Sequence, residues 1–182
     1  MHDLSLHILD VTENALEAGA TQIHITIVED SARNLLVIEI ADNGKGMDAG
    51  QVARALDPFW TTRKTRRVGL GLPLLAAAAR AAEGSLDLRS APGNGTTVRA
   101  TFRHDHIDRK PLGDLPATIT MLLSRRPDLD LIYRHERDGR DFRFTTEECR
   151  NRLDGLPVDS AGVLAWIRDY LCQEETELLT TS

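Results

Sequence analysis

The chain has 182 residues, of which 41% are hydrophobic and 27% are charged, as in an ordinary water-soluble globular protein. Its formal net charge of -6 argues against a general nucleic-acid binder, and it contains no apolar run of membrane-spanning length. The N-terminus lacks a signal-peptide pattern, and the two cysteines, Cys149 and Cys172, have no metal-binding or redox spacing. We therefore expect a cytoplasmic protein with reduced thiols and no membrane or nucleic-acid partner.

Residues 3–18 are predicted to form a helix, because leucines recur at helical spacing and Gly19 follows where helices commonly end. Asp10 and Asn14 are four residues apart and share one face, and His7 lies on that face one turn earlier. Oxygen-bearing side chains one turn apart suit Mg²⁺, which takes a few protein oxygens together with phosphate and water. A solvated polar face is the alternative interpretation.

Two strands are predicted next, over residues 21–29 and 35–41, and they are expected to form an antiparallel hairpin. The second strand ends in Asp42-Asn43-Gly44-Lys45-Gly46-Met47. A carboxylate at a strand end can accept a hydrogen bond from an exocyclic amine such as that of adenine, and glycines let a ligand approach the backbone. An ordinary hairpin turn is the alternative.

A basic segment follows a short helix that is predicted over residues 48–56, with Asp48 as its cap and Pro58 after its end. Residues 58–68 are polar and strongly basic, which indicates a mobile loop. The loop leads into Gly69-Leu70-Gly71, before a helix predicted over residues 72–82. Backbone N–H groups at a helix start and nearby cations suit phosphate oxygens. The alternative is a solvated basic loop.

The rest of the chain is predicted to alternate strands and helices. Strands are expected over residues 85–89 and 97–102, around a turn at residues 91–95, and a polar linker follows at residues 104–111. Asp138-Gly139 is a strong hairpin signal between strands at residues 129–137 and 140–145. Helices are expected over residues 115–124, 146–153 and 160–171, before a frayed acidic tail from residue 174.

Five motifs occur in a fixed order: D-V-T-E-N on a helix, D-N-G-K-G-M after a strand, P-F-W-T-T-R-K, G-L-G-L opening a helix, and G-N-G-T-T before a strand. Their order and spacing resemble the GHKL superfamily, the ATP-binding fold shared by histidine kinases, DNA gyrase, heat-shock chaperones and mismatch-repair ATPases. The resemblance covers residues 4–102. It implies an α/β two-layer sandwich, with a mixed sheet and helices on one face. We expect this domain over residues 1–104, followed by a small α+β helix–hairpin–helix extension over residues 105–182.

The resemblance implies ATP and Mg²⁺ as ligands. It assigns Asn14 to Mg²⁺ and Asp42 to the adenine amino group. The other nucleotide contacts that it implies are Gly44 and Gly46 near the base, Met47 packed against it, Phe59 and Lys64 in a phosphate-covering lid, Gly69, Leu70 and Gly71 at the phosphates, and Thr97 near the adenine edge.

The position of Asp10 separates two subfamilies. Mismatch-repair ATPases have a similar first helix but carry a glutamate four residues before the asparagine, where it activates water. Asp10 is shorter, and a general base must come within hydrogen-bond reach of its proton. Asp10 is therefore a candidate base or metal ligand, while Glu13 lies about 100° around the helix from Asn14.

The lid motif is similar to that of histidine kinases, but the sequence offers no room for a phosphoacceptor domain before Leu4. The leading hypothesis is a regulatory protein kinase or phosphotransferase that passes the γ-phosphate to a separate partner protein, with Asp10 and Lys64 in catalytic roles. A non-catalytic ATP-dependent switch and a slow ATPase are the alternatives. Autophosphorylation of His7 is a minor hypothesis, and the sequence is compatible with a homodimer.

Overall fold

The computed structural model describes residues 3–57 and 71–180. The strands in these residues are β1 (Gln22–Asp30), β2 (Leu35–Asp42), β3 (Leu86–Ser90), β4 (Thr96–Arg103), β5 (Asp130–Arg137) and β6 (Arg140–Thr145). They form one six-stranded sheet in the order β3-β4-β2-β1-β5-β6. Neighbouring strands are antiparallel apart from β1 and β5, which run parallel. The sheet is therefore mixed.

The helices in the described residues are α1 (Leu4–Glu17), α2 (Ala49–Arg54), α3 (Gly71–Ala81), α4 (Leu115–Arg125), α5 (Thr146–Arg152) and α6 (Ala161–Thr180). The helix α1 contacts both α3 and α4, and α6 packs against α4. Across residues 3–57 and 71–180, no helix is long and apolar enough to cross a membrane.

The sheet has one apolar and one polar face. On β1, Ile23, Ile25 and Ile27 are buried, and the residues between them are at least partly exposed. The polar face carries charges in cross-strand rows, such as Glu39 and Arg99, whose carboxylate and guanidinium lie 3.6 Å apart. Because only one face needs an apolar cover, the helices pack on that face. The predicted two-layer α/β sandwich is confirmed.

The C-terminal segment extends the same sheet. The predicted hairpin forms, with Asp138 and Gly139 both at positive φ, but its first strand pairs in parallel with β1. The hairpin adds two strands beside β1 and brings the sheet to six. Residues of α4, β5 and α6 belong to the same hydrophobic core cluster as α1 and β1. The domain boundary after residue 104 stays a prediction of the sequence.

The last helix is longer than predicted. It continues to Thr180, whereas the sequence favoured a frayed tail from residue 174. Two contacts explain the difference: Leu178 is buried, and the Glu175 carboxylate accepts hydrogen bonds from Tyr133 and His135 of β5. The tail is helical to Thr180 because Leu178 and Glu175 contact the rest of the fold, Glu175 through hydrogen bonds to the sheet.

The predicted linker is also ordered by contacts. The first N–H groups of α1, on Leu4 and Ser5, donate to the carbonyls of Pro111 and Leu112 at 2.8 and 2.7 Å. Asp3 is the N-cap residue of α1, but its side chain makes no capping hydrogen bond. The end of the linker and the residue after it therefore supply acceptors for the first N–H groups of the helix.

Candidate functional site

Asp42 lies at the end of β2 on the helix-covered face of the sheet, in register with the buried Ile23. One carboxylate oxygen accepts the Gly44 N–H at 2.7 Å. Burial raises the pKa of Asp42, and the backbone N–H groups of Gly44 and Thr96 only partly offset that effect. The protein thus keeps a half-buried acceptor here without enough donors to compensate for its burial.

Two glycine-containing turns pack against each other beside Asp42. Gly46 has a φ of +69°, and a Cβ on it would lie 2.0 Å from the Ala91 carbonyl oxygen. The Gly93 N–H donates to the Lys45 carbonyl at 2.8 Å. Gly95 also has a φ of +69°, and a Cβ there would lie 1.9 Å from the Asp42 carbonyl oxygen. These glycines are required for contact between the turns themselves.

Gly44, Gly46 and Met47, which are predicted to contact the adenine base, lie beside Asp42 and these two turns. A Cβ on Gly44 would lie 2.9 Å from the Asp42 carboxylate and 3.1 Å from Ala18, so the end of α1 closes one side. Met47 is half-buried, and its N–H donates to the Ser90 hydroxyl at 2.8 Å. Their contacts with a nucleotide stay predictions.

Thr97 is not brought together with Asp42. In the register of β2 and β4, Thr97 lies opposite Ala41, while Thr96 lies opposite Asp42. Since side chains alternate along a strand, Thr97 lies on the opposite face of the sheet from Asp42. The register therefore places Thr96 beside Asp42 in place of Thr97, while a contact of Thr97 with a nucleotide stays a prediction. Sequence reasoning also missed Ser90, whose hydroxyl lies 2.9 Å from that of Thr96.

The other end of the site lies where α1 meets the start of α3. A Cβ on Gly71 would lie 3.0 Å from the Asp10 Cβ and 3.6 Å from the Asn14 side-chain amide. Asp10 and Asn14 are both half-buried. Along α1, Asn14 and Ala18 are separated by about 6 Å of helix rise. The helix therefore connects the Asp10–Asn14 end with the Asp42 end.

Glu13, next to Asn14 in the sequence, contacts α4. Its carboxylate accepts a hydrogen bond from the Arg125 guanidinium of α4. The glutamate adjacent to Asn14 is thus engaged in an ion pair between helices. This agrees with its predicted position around the helix from Asn14.

His7 is buried, with 1% of its surface exposed. Burial, followed by the positive charge of Lys110, lowers its pKa from 6.5 to about 4. In the described part of the chain, neither ring nitrogen has a hydrogen-bond partner. A ring this enclosed is a poor phosphoacceptor, so the geometry gives no support to autophosphorylation at His7.

The predicted contacts Phe59, Lys64, Gly69 and Leu70 lie outside the described residues. Gly71, the last residue of that predicted turn, is the first residue of α3.

The residues present fit a Mg²⁺ ion in their chemistry. Asp10 and Asn14 supply two oxygen-bearing side chains on one helix face, and Mg²⁺ bound with a nucleotide needs few protein ligands because phosphate and water complete its shell. Among the described residues there is no group of three or more histidine, cysteine or acidic side chains that could hold a metal ion without a substrate. A metal at Asp10 and Asn14 would therefore depend on the nucleotide.

The candidate site has a strand-end carboxylate, a helix that carries an acidic and an amide side chain, and glycine turns. On a mixed sheet with helices on one face, these features together define an ATPase-type domain. Residues 2–106 match the family described as histidine kinase-, DNA gyrase B- and HSP90-like ATPase. The match covers more than half of the chain, and the chain belongs to this family.

The family relatives have different activities. The chain is 42% identical over 89 residues to the sensor protein kinase FleS of Pseudomonas aeruginosa, which is 49% of this chain and 22% of that protein. It is 41% identical over 98 residues to the DNA mismatch repair protein MutL of Gemmatimonas aurantiaca, 50% of this chain and 16% of MutL. It is 37% identical over 97 residues to the tetrathionate sensor histidine kinase TtrS of Salmonella typhimurium, 51% of this chain and 16% of that kinase.

The chain spans less than a quarter of the length of these curated relatives. Among solved structures, the N-terminal domain of a DNA repair protein matches 80% of this chain and 53% of its own length, with a TM-score of 0.55 and 15% identity. That likeness shows the fold alone.

Proposed function

We propose that this protein binds ATP, with the adenine amine at Asp42 and the phosphates between α1 and α3. The supporting observation is the surplus acceptor at Asp42, whose pKa burial raises despite two backbone donors. An exocyclic amine would supply the missing donor. Adenine carries such an amine at the position that family resemblance assigns to this carboxylate.

The phosphate end is supported by the contact of Gly71 with Asp10 and Asn14. Asn14 and Asp10 would hold Mg²⁺ there, and a bound Mg²⁺ neutralises charge on the phosphates. Lys64 is proposed as a further positive charge on the γ-phosphate, from the lid segment. These groups orient the phosphates and stabilise charge, which is most of what phosphoryl transfer requires from a protein.

We further propose that the γ-phosphate is transferred to a nucleophile on a separate partner protein, with ADP as the leaving group. The observation that favours transfer over hydrolysis is the engagement of Glu13 by Arg125. That contact leaves the shorter Asp10 as the carboxylate beside Asn14, where water activation needs close reach. Two of the relatives reported above are sensor kinases, in agreement with this proposal. A cytoplasmic location fits the same role.

The test is an assay with ATP labelled on the γ-phosphate, the full chain and extract of its native cells as the source of acceptor. Label should move to a discrete protein in wild-type reactions and be lost with Asn14→Ala. Asn151→Ala, on the exposed face of α5, is the matched control and should transfer normally. Continued absence of any labelled protein, with ATP binding demonstrated, would contradict the transfer proposal.

A non-catalytic switch is the second candidate. The observation that favours it is that the C-terminal segment shares the sheet and the core with the nucleotide end, so nucleotide binding can bias its packing. A partner whose affinity is equal with ATP, ADP and no nucleotide would exclude this candidate. For slow hydrolysis, phosphate release should be lost in Asp10→Asn; turnover that survives this change would show that Asp10 is not the base.

A further inference from the structure

The Ser90 hydroxyl, at the end of β3, joins three parts of the candidate site. It accepts the N–H of Met47 at 2.8 Å, and its oxygen lies 2.7 Å from the Gly95 carbonyl oxygen. It also lies 2.9 Å from the hydroxyl oxygen of Thr96. One side chain therefore connects the turn after β2, the turn before β4 and the first residue of β4.

The direction of these hydrogen bonds follows from the number of protons available. A carbonyl oxygen can only accept, so the single Ser90 proton is donated to Gly95. The proton between Ser90 and Thr96 must then come from Thr96. Ser90 donates once and accepts twice, which uses the full capacity of a hydroxyl group.

This arrangement fixes what Thr96 can offer to a ligand. Its proton is used by Ser90, so only lone pairs remain on the Thr96 oxygen. Thr96 lies opposite Asp42 in the β2–β4 register, and cross-strand neighbours on one face have Cβ atoms about 5 Å apart. Two acceptors, a carboxylate and a hydroxyl oxygen, are thus placed side by side.

We propose that Ser90 is a specificity-determining residue, which orients the Thr96 hydroxyl as an acceptor so that the site selects a purine with a 6-amino group over one with a 6-oxo group. A 6-amino group donates to the acceptors, whereas a 6-oxo group places a third acceptor against them. The inference rests on the proposed nucleotide function and adds a residue that sets its base preference. Ser90 acts through Thr96 and is a positioning residue.

The test compares ATP with inosine triphosphate, which carries a 6-oxo group in place of the 6-amino group. Dissociation constants are measured by calorimetry on the full chain. Wild type should prefer ATP, and Ser90→Ala should reduce the ratio of the two constants about tenfold, the value of one hydrogen bond. Freed from Ser90, the Thr96 hydroxyl can turn and donate to the 6-oxo group. Ser90→Thr, which keeps the hydroxyl, should restore the preference.

The chain offers a matched control at the other end of the same two strands. Ser85 and Thr101 form the same kind of hydroxyl pair, with oxygens 3.1 Å apart on the exposed surface. Ser85→Ala and Thr101→Val should leave both dissociation constants unchanged. A general loosening of the β3–β4 hairpin would affect these variants as well.

The outcomes separate this inference from a structural role of Ser90. If Ser90→Ala weakens both nucleotides equally, or neither, the inference is overturned. Thr96→Val supplies a second route should Ser90→Ala not fold: it must lower the same ratio, and the double variant should lower it no further than either change alone. A wild-type chain that binds neither nucleotide would overturn the proposed function itself, a result distinguishable from equal binding of both.

Discussion

Two carboxylates lie at opposite ends of the β1–β2 hairpin, on the same face of the sheet, and their surroundings differ. Asp42 ends β2 opposite Ile23, and Glu29 lies near the end of β1 opposite Leu36. Glu29 is 4% exposed, and its two oxygens contact His135 at 3.1 Å and His104 at 2.8 Å. Asp42, by contrast, is served by backbone N–H groups of nearby turns.

The pKa values follow the number and charge of the donors. Burial raises the pKa of Glu29, but hydrogen bonds from His135 and His104 outweigh burial and lower it to about 2. Burial lowers the pKa of His135, but Glu175 and Glu29 outweigh it and raise the pKa to about 9. At Asp42 burial prevails and the pKa is raised.

The comparison separates structure from function within one sheet. At the Glu29 end, side chains of β1, β5, α6 and His104, the residue after β4, satisfy one another, with Tyr133 donating to the second oxygen of Glu175. Such a network connects the last helix to the sheet and leaves little capacity for a ligand. At the Asp42 end the protein supplies too few donors. We therefore expect substitutions at the Glu29 end to change stability, and substitutions at the Asp42 end to change ligand binding.

The largest expected effect is on the stability of the Glu29 end. His135→Ala would leave the buried Glu29 and the partly buried Glu175 without the imidazolium that lies between them. Removing one partner of a buried ion pair costs about 3–5 kcal/mol. We expect a loss of that size in the free energy of unfolding, measured by urea denaturation at pH 6.

The control for His135→Ala is His24→Ala, because His24 is exposed on the same sheet. Its effect should be below about 0.5 kcal/mol. The folded fraction of His135→Ala should bind ATP with the wild-type dissociation constant. If His135→Ala kept its stability but lost ATP binding, the Glu29 end would serve binding and the comparison between the two ends would be wrong.

The next effect is on nucleotide binding at the Asp42 end. Asp42→Ala removes the acceptor for the base amine, and a buried amine without a partner costs about 3 kcal/mol, or about a hundredfold in the dissociation constant. Calorimetry with ATP measures this change. The unfolding free energy of the nucleotide-free chain should not fall, because the substitution removes a carboxylate whose burial is poorly compensated.

Asp87→Ala is the matched control for Asp42→Ala. Asp87 is an exposed strand aspartate whose carboxylate pairs with Arg89 at 2.7 Å. It should bind ATP as wild type does. Thermal stabilisation by ATP that persists in Asp42→Ala would be incompatible with the assigned pocket.

Local patterns were sufficient to predict the elements that form this comparison. The spacing of apolar residues gave α1 and β1, and Asp138-Gly139 marked the hairpin of β5 and β6. Asp42, Asn14 and Gly71 could be named because each belongs to a local motif. The structure then brings Asn14 and Gly71 together, while their contacts with a nucleotide stay predictions.

Features that depend on register or on distant pairing could not be obtained in this way. A shift of one residue moves a side chain to the other face of a strand, and this is the difference between Thr97 and Thr96. The parallel pairing of β5 with β1 joins segments more than 100 residues apart, as the contact of Glu29 with His135 shows. Local periodicity carries no information about such partners.

The third prediction concerns the pH dependence of unfolding. Glu29 has a lowered pKa in the folded chain, so its contribution is complete above the ordinary value of 4.5 and is lost as pH falls toward 2. His135 has a raised pKa, so its contribution is complete below 6.5 and is lost as pH rises through 9. Urea denaturation from pH 6.5 to 9.5 should therefore show falling stability.

Glu175→Gln sharpens this test, since it removes one of the two charges that raise the pKa of His135 while keeping an acceptor. The decline above pH 6.5 should become shallower in that variant. Glu174→Gln, one residue earlier on α6, serves as the control and should keep the wild-type slope. Equal slopes in all three chains would show that the Glu29–His135–Glu175 network does not control alkaline stability.

The smallest effect is expected at His7, a third buried ionisable group, which lies on α1 one turn before Asp10. Its pKa is lowered to about 4, so the unfolded chain binds the proton more readily, and stability is lost as pH falls from 6.5 toward 4. His7→Leu has no proton to bind and should escape this loss. The stability of His7→Leu relative to wild type should rise as the pH is lowered from 7.5 to 5, as measured by urea denaturation at both values.

The control is His24→Leu, at an exposed strand position, which should show no such rise. Measurements stop at pH 5 because the loss from Glu29 begins below that value, so the two acidic effects remain separate. A constant difference between His7→Leu and wild type would mean that the ring is accommodated as an imidazolium, and the contrast between satisfied and unsatisfied buried groups would not extend to α1.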